Sequence, residues 1–226
     1  MPYKRKFNTR KTNFKNSNFK MHSIARLEAR KVVNRSTESK FLDQWSDNGG
    51  GVPSYIFVGN STATGAILQD LTKGIGRGAG VGAIQGDKIT PTAIRISGNC
   101  YASSDDFNYI RIVVIQVKGS AVPTATQLLD STGNVLTPWS AYDADYRNTY
   151  RVLHDSKVKV TKCNSDFNSS YTSSFSANIS AKKLRPIHYT TLMDIETGGV
   201  YMYAYADSGI ANPFIGYHTR IWYKDA

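Results

Sequence analysis

Tyr109-Ile110-Arg111-Ile112-Val113-Val114-Ile115-Gln116-Val117-Lys118 is apolar on both of its alternating faces. A β-branched run of this kind reads as a strand covered on each side, and so as the centre of a sheet. Upstream, Ile94, Ile96 and Cys100 alternate with Arg95, Ser97 and Asn99, the period of a strand with one face buried. Near the end of the chain Tyr217, Thr219, Ile221 and Tyr223 oppose His218, Arg220, Trp222 and Lys224 in the same way. Residues 55–58, 65–68, 151–154, 158–162, 175–179 and 200–206 are further strand candidates. Turn clusters such as Ser103-Ser104-Asp105-Asp106, Asp130-Ser131-Thr132-Gly133-Asn134 and Glu196-Thr197-Gly198-Gly199 separate them. About eight β segments and no long helix predict an all-β sandwich or barrel. The stretch 123–149 has room for a short helix inside a long connection.

The charge is segregated. Of the 226 residues, the first 35 carry Lys4, Arg5, Lys6, Arg10, Lys11, Lys15, Lys20, Arg26, Arg30, Lys31 and Arg35 against Glu28 alone, a net +10. The remaining 191 carry 17 basic and 16 acidic side chains, a net +1. Residues 1–20 mix cations with Asn, Thr and aromatic residues, hold no aliphatic side chain that could anchor a core, and are expected to be disordered in the free protein. In residues 21–35, Ile24, Leu27 and Val32 fall near helical spacing behind Ser23 as N-cap, which predicts a short basic helix stabilised by a bound polyanion. Residues 1–35 thus read as a nucleic-acid-binding arm, 36–53, ending in Gly49-Gly50-Gly51-Val52-Pro53, as a linker, and 54–226 as the folded body.

Such an arm binds phosphate through counterion release with little base preference. Tyr3, Phe7, Phe14 and Phe19 add rings that stack on unpaired bases, favouring a single strand. Lys4-Arg5-Lys6 also fits a nuclear import signal. A membrane-bound helix would need a wider apolar face than Ile24, Leu27 and Val32 provide, and no apolar run approaches the ~20 residues of a membrane span.

Signatures of catalysis are missing from the sequence. The glycine run Gly74-Ile75-Gly76-Arg77-Gly78-Ala79-Gly80-Val81-Gly82 completes neither phosphate-loop spacing and reads as a flexible loop. His22, His154, His188 and His218 lie far apart without metal-ligand companions, and no GxSxG elbow is present. Cys100 and Cys163 are too few for a disulfide framework, so the fold rests on its own core.

Val58-Gly59-Asn60-Ser61-Thr62-Ala63-Thr64-Gly65-Ala66-Ile67-Leu68-Gln69-Asp70-Leu71, followed by the Gly-rich loop and Gln85-Gly86-Asp87-Lys88-Ile89, resembles a stretch of the satellite tobacco necrosis virus coat-protein family. Arg151-Val152-Leu153-His154-Asp155, running on to Val158 and Cys163, resembles that family's (F/Y)-x-(I/V)-L-x-D strand. Trp222-Tyr223-Lys224-Asp225-Ala226 resembles its C-terminus. Capsid proteins of small circular single-stranded DNA viruses share the Gly-Asp-(K/R)-Ile and Val-Leu-x-Asp elements.

The resemblance implies an eight-stranded jelly roll and a non-enzymatic capsid subunit, 60 copies of which close a T=1 shell around a single-stranded RNA or DNA genome held by the inward arm. Sixty such arms would place about 600 positive charges in the lumen. The body, with a net charge near zero, could pack against its copies without strong repulsion. The resemblance also implies calcium at subunit contacts, though no cofactor is required for the fold. By position its ligands would be the Asp225 carboxylate and the backbone carbonyls of Gln85 and Lys88, with Lys88 departing from the family by bringing a cation beside that site. Two other readings compete: a non-viral nucleic-acid-binding β-barrel module with a basic tail, and an enzyme on a jelly-roll scaffold resembling the cupin metalloproteins.

Overall fold

The computed structural model describes residues 25–26, 39–46, 55–60, 67–78, 83–102, 107–131, 135–161, 172–190, 194–209 and 212–225. The chain divides into two units, Met1–Glu38 and Ser39–Ala226. In the first, Ala25 and Arg26 are helical and exposed.

The second unit is built from strands β1 (Ser39–Trp45), β2 (Ile56–Phe57), β3 (Ile67–Asp70), β4 (Lys88–Tyr101), β5 (Phe107–Val117), β6 (Tyr150–Thr161), β7 (Thr172–Ser180), β8 (Ile187–Tyr189), β9 (Ile195–Thr197), β10 (Val200–Ala206) and β11 (Phe214–Asp225). Between β5 and β6 lies one turn of helix, α1 (Ala125–Leu128), closed at its start by a Thr124 capping box.

The antiparallel pairings are nested. β5 pairs with β6, β4 with β7, β3 with β10 and β1 with β11, so the chain forms one long double ribbon whose tip is the β5–β6 pair. Lateral ladders β11·β4 and β10·β5 then roll the ribbon into two sheets, β1-β11-β4-β7 and β3-β10-β5-β6. That arrangement of eight strands is the jelly roll. β2 continues the β1 edge along β11, and β8 with β9 forms a small extension on β4.

Alternation sets the layers. Ile215, Tyr217, Ile221 and Tyr223 of β11, Ile94, Ile96 and Cys100 of β4, and Ile110, Ile112 and Val114 of β5 meet in one core between the sheets. Burial pushes the Cys100 thiol up to about 12, so it behaves as a small apolar side chain. β5 and β10 are buried on their other face as well. Val113, Ile115, Val117, Tyr201, Tyr203 and Tyr205 pack beneath the 118–149 connection, which contributes Leu128, Leu129 and Leu136.

An ion pair with its arginine buried and its carboxylate part-exposed fastens this cover. Arg111, 5% exposed on β5, donates from Nε and Nη2 to both carboxylate oxygens of Asp155 on β6, at 3.0 and 2.7 Å. Its Nη1 donates to the Ser140 carbonyl at 2.5 Å, its guanidinium lies 5.0 Å from the Tyr142 ring centroid, and the Tyr142 hydroxyl donates to Asp155 Oδ2 at 2.7 Å. Tyr203 adds a bond from its hydroxyl to the Pro123 carbonyl at 2.6 Å. Burial alone would raise the Asp155 carboxyl, but the hydrogen bonds from Arg111 and Tyr142 outweigh it and hold the group below its ordinary value.

Three features depart from the sequence reading. Residues 39–45, assigned there to a linker, form β1, because Asp43 meets Arg220 and Leu42 packs on the core across a seven-residue ladder to β11. The two segments expected at 151–154 and 158–162 are one strand, β6, whose polar middle is tolerated because Asp155 is paired, and whose register shifts opposite Val114 and Ile115. The short strands β8 and β9 were not anticipated. Of the glycine run, residues 74–78 form a turn leading to a bridge between Arg77 and Ile84, and Gly74 and Gly78 have positive φ; residues 79–82 lie outside the described residues. Cys163 also lies outside them.

Asp155→Asn should cost about 1–3 kcal/mol, because Arg111 is largely buried and loses its charged partner, while the Asp155 side chain is itself 30% exposed. Replacing both partners, Arg111→Met with Asp155→Leu, should cost clearly less. Urea unfolding of the three proteins measures this, and equal losses for single and double variants would contradict the pairing. Because the Asp155 carboxyl is depressed in the fold, its contribution is complete above about pH 4 and fades as the pH falls through its lower folded value.

Candidate nucleic-acid interface

Of the eleven cations assigned to the arm, Arg26 lies among the described residues, exposed in a helical turn; Lys4, Arg5, Lys6, Arg10, Lys11, Lys15, Lys20, Arg30, Lys31 and Arg35 lie outside them. The chain enters the sandwich at Ser39, which pairs with Lys224 on β11.

The sheet that β1 borders has an outer face with an unusual side-chain population. Register puts Phe41, Trp222, Ala93 and Ser180 in one cross-strand row, Asp43, Arg220, Arg95 and Asn178 in the next, and Trp45, His218, Ser97 and Ser176 in a third. Arg220 donates to both oxygens of Asp43 at 2.6 Å, with its guanidinium 4.8 Å from the Phe41 ring centroid and 5.9 Å from that of Trp222. These bonds hold the Asp43 carboxyl below its ordinary range. Trp45 and His218 are 5.3 Å apart centroid to centroid, and Tyr55 leans edge-on against Tyr101 at 4.6 Å with their hydroxyls 2.7 Å apart. Phe41, Trp45, Tyr55 and Phe57 are each between 41 and 54% exposed.

Two glycines shape the floor between these rings. A Cβ on Gly98 would run into the Gly216 carbonyl oxygen, and one on Gly216 would sit 2.6 Å from the Tyr55 ring. Their absence lets these neighbours close in, and beside them lies a slot of about 320 Å³ lined by Trp45, Tyr55, His218 and both glycines. Chemically, this face offers open aromatic surfaces, an arginine without an acidic partner among the described ion pairs (Arg95), and Ser and Asn groups that can bond sugar or phosphate. That is the equipment of a stacking platform for unpaired bases. Trp45 and Phe41 escaped notice in the sequence because they sit in the segment assigned to a linker; an aromatic pair spaced by four with Asp between them was the available signal.

The three residues named for calcium are only partly brought together. Asp225 ends β11 opposite Ile89, next to Lys88, while Gln85 is exposed in the preceding turn. Lys40 of β1, with a side chain 10% exposed, donates from Nζ to Asp225 Oδ2 at 2.8 Å and to the Ala83 carbonyl at 2.5 Å. The other Asp225 oxygen, Oδ1, is buried without a partner. A hard divalent cation wants several oxygens and no neighbouring positive charge. Within one chain the oxygens present do not fit it: an ammonium already sits between carboxylate and carbonyl, with Lys88 adjacent in the ladder.

Among the described residues no three His, Cys, Asp or Glu side chains converge. His154 Nε2 and Ser156 Oγ are 2.9 Å apart on β6, but Asp155 between them faces the opposite side, bound to Arg111, so the three do not form a triad. No helix among the described residues is long and apolar enough to cross a membrane.

No protein-family model and no curated protein matches the chain. Among solved structures it is similar to that of Desmodium yellow mottle tymovirus, at 11% identity over 84% of this chain and 87% of the other, with a TM-score of 0.34. It is also similar to the VP2 subviral particle of infectious bursal disease virus, at 8% identity and a TM-score of 0.26, covering 84% of this chain and 35% of that one. Superpositions this loose place the chain in neither family.

Trp45→Ala combined with Tyr55→Ala should weaken binding of a 20-nucleotide oligothymidylate roughly tenfold or more, at about 1–3 kcal/mol per stacked base. The midpoint of urea unfolding should stay close to the parent's. Fluorescence titration at fixed salt reads the affinity, and an unchanged constant would remove this face from the interface.

Proposed function

We propose that the chain is a viral capsid protein: a single jelly-roll subunit that assembles with copies of itself, and whose residues 1–35 package a single-stranded nucleic acid. The observation that carries this reading is the partition of charge, +10 on 35 residues and +1 on the remaining 191. A segment so charged gains by counterion release on any phosphate backbone, whereas a near-neutral sandwich can approach its copies closely. The smallest closed shell, 60 subunits in T=1 symmetry, suits a subunit of one sandwich. In such a particle the aromatic slot stacks unpaired bases of the packaged strand. The location is the virion, with Lys4-Arg5-Lys6 serving nuclear import beforehand. Catalysis has no part in it.

The aromatic slot favours a second reading, a nucleic-acid-binding module that acts as a monomer or small oligomer, with binding spread over arm and body. Electron microscopy of the purified protein, with absorbance at 260 nm, separates the two. Closed particles containing nucleic acid support the capsid; a monodisperse small species in complex with oligonucleotide supports the module. Deleting residues 1–20 should leave the sandwich folded while particles lose most of their 260 nm absorbance, and retention of full cargo would refute the arm's role.

The Lys40 ammonium already neutralises Asp225 within the chain. Particles should therefore keep their sedimentation coefficient in excess EDTA, while Lys40→Gln should lower their dissociation temperature by several degrees, because Asp225 then loses its counter-charge. Dissociation by EDTA alone would show that a metal holds the subunits after all.

A further inference from the structure

Where β5 runs into the 118–149 connection, the end of the sandwich opens into a cavity of about 670 Å³, within the range of small-ligand pockets. Its floor is fixed. The side chain of Gln116, 2% exposed, donates from Nε2 to the carbonyls of Arg185 and Gly198 at 2.9 and 2.8 Å and accepts from the Arg185 backbone N–H at 2.8 Å. Gly198 has a φ of +83°, and a Cβ there would strike the Pro186 carbonyl oxygen, so the turn between β9 and β10 is tied to glycine.

The walls are cationic. Lys118, Arg147, Arg151 and Arg185 line the cavity together with His188, and no carboxylate does; Asp143 and Glu196, close by in sequence, lie outside the lining. The ion pairs among the described residues are Lys40–Asp225, Arg77–Asp87, Arg111–Asp155 and those of Asp43 with Arg220 and His218, and none involves these four cations. In a body whose 17 cations are almost matched by 16 acids, four gathered round one cavity without an acid repel one another, and an anion among them would relieve that repulsion. Arg147 is held in place over the rings of Tyr142 and Tyr150, at 4.5 and 5.9 Å from their centroids. Three guanidinium forks and an ammonium suit tetrahedral oxyanions, each fork bonding two oxygens. Tyr150, the one phenol ring in the lining, is 2% exposed and lies beneath Arg147, and the half-buried His188 imidazole is the other aromatic ring, so the cavity offers charge and hydrogen bonds far more than surface on which a base could stack.

We propose that this cavity binds a compact polyanion bearing several phosphate or sulfate groups, a site separate from the arm and from the aromatic face. It joins the 118–149 and 181–199 connections, so an occupant should clamp this end of the sandwich. The proposal stands whether or not the chain forms shells.

The test is thermal unfolding of the full chain with inositol hexakisphosphate, with a sulfated heparin tetrasaccharide and with a 20-nucleotide oligothymidylate, for the parent and for the double variant Arg151→Gln/Arg185→Gln. Ligand bound at the cavity in hundredfold excess over Kd should raise the parent's Tm by about 5 °C. The double variant should bind at least tenfold more weakly and lose about half of the shift or more at the same ligand concentration, while its ligand-free Tm stays level or rises as repulsion falls. Whichever of the phosphate and sulfate ligands gives the variant-sensitive shift identifies the source. Equal shifts in parent and variant, no shift with either compact ligand, or a variant-sensitive shift with oligothymidylate alone would overturn the proposal. A double variant whose ligand-free Tm falls sharply is replaced by Lys118→Gln, on the edge of the cavity, and an unchanged affinity in that variant counts against the site in the same way.

Discussion

All twelve residues of β11 pair with β4, from Phe214 opposite Tyr101 to Asp225 opposite Ile89, and this ladder is what rolls the ribbon into a sandwich. Without it the nested pairs β1·β11 and β4·β7 would be separate two-stranded ribbons, each too thin to bury an apolar face. With it, Ile221, Tyr223, Ile94 and Ile96 become one inner surface, while Trp222, Arg220, Arg95 and His218 become one outer surface. Core and candidate interface are therefore two sides of the same hydrogen-bonded ladder. The single register shift, between Trp222 and Tyr223, lies close to where Lys40 reaches Asp225.

The opposite sheet is organised by a different demand. β5 and β10 present apolar side chains on both faces, and only one face can look into the core between the sheets. The 118–149 connection covers the other, and the Arg111–Asp155 pair with Tyr142 fixes how it lies. Arg111 and Asp155 add directional bonds to a connection that apolar contacts and the Tyr203 and Tyr150 hydroxyls also hold. The same connection supplies Lys118 and Arg147 to the basic cavity, so the element that seals the second core also builds its rim.

Much of the fold was legible because a half-buried strand writes its faces directly into the sequence. The alternation of Tyr217, Thr219, Ile221 and Tyr223 with their polar neighbours, and the two-faced run from Tyr109 to Lys118, both appear in the structure with the faces anticipated. What stayed hidden depends on partners distant along the chain. β1 has no clean alternation and is a strand only because β11 lies beside it. Lys40 and Asp225, 185 residues apart, meet through that same pairing. The cavity draws its cations from positions between 118 and 185, each an ordinary surface residue when read singly. Charge segregation needed no structure at all, since the net charge of an arm is a property of composition.

The division between a cationic arm and a near-neutral body is tested most directly by the salt dependence of single-strand binding, comparing the full chain with residues 36–226. Each phosphate neutralised on a single strand contributes a slope of about −0.7 in log K against log salt. With eleven arm cations available, the full chain should show a slope of about −5 or steeper, and the shortened chain one no steeper than about −2. Equal slopes for the two proteins would mean that the body, not the arm, grips the strand, and would contradict the account.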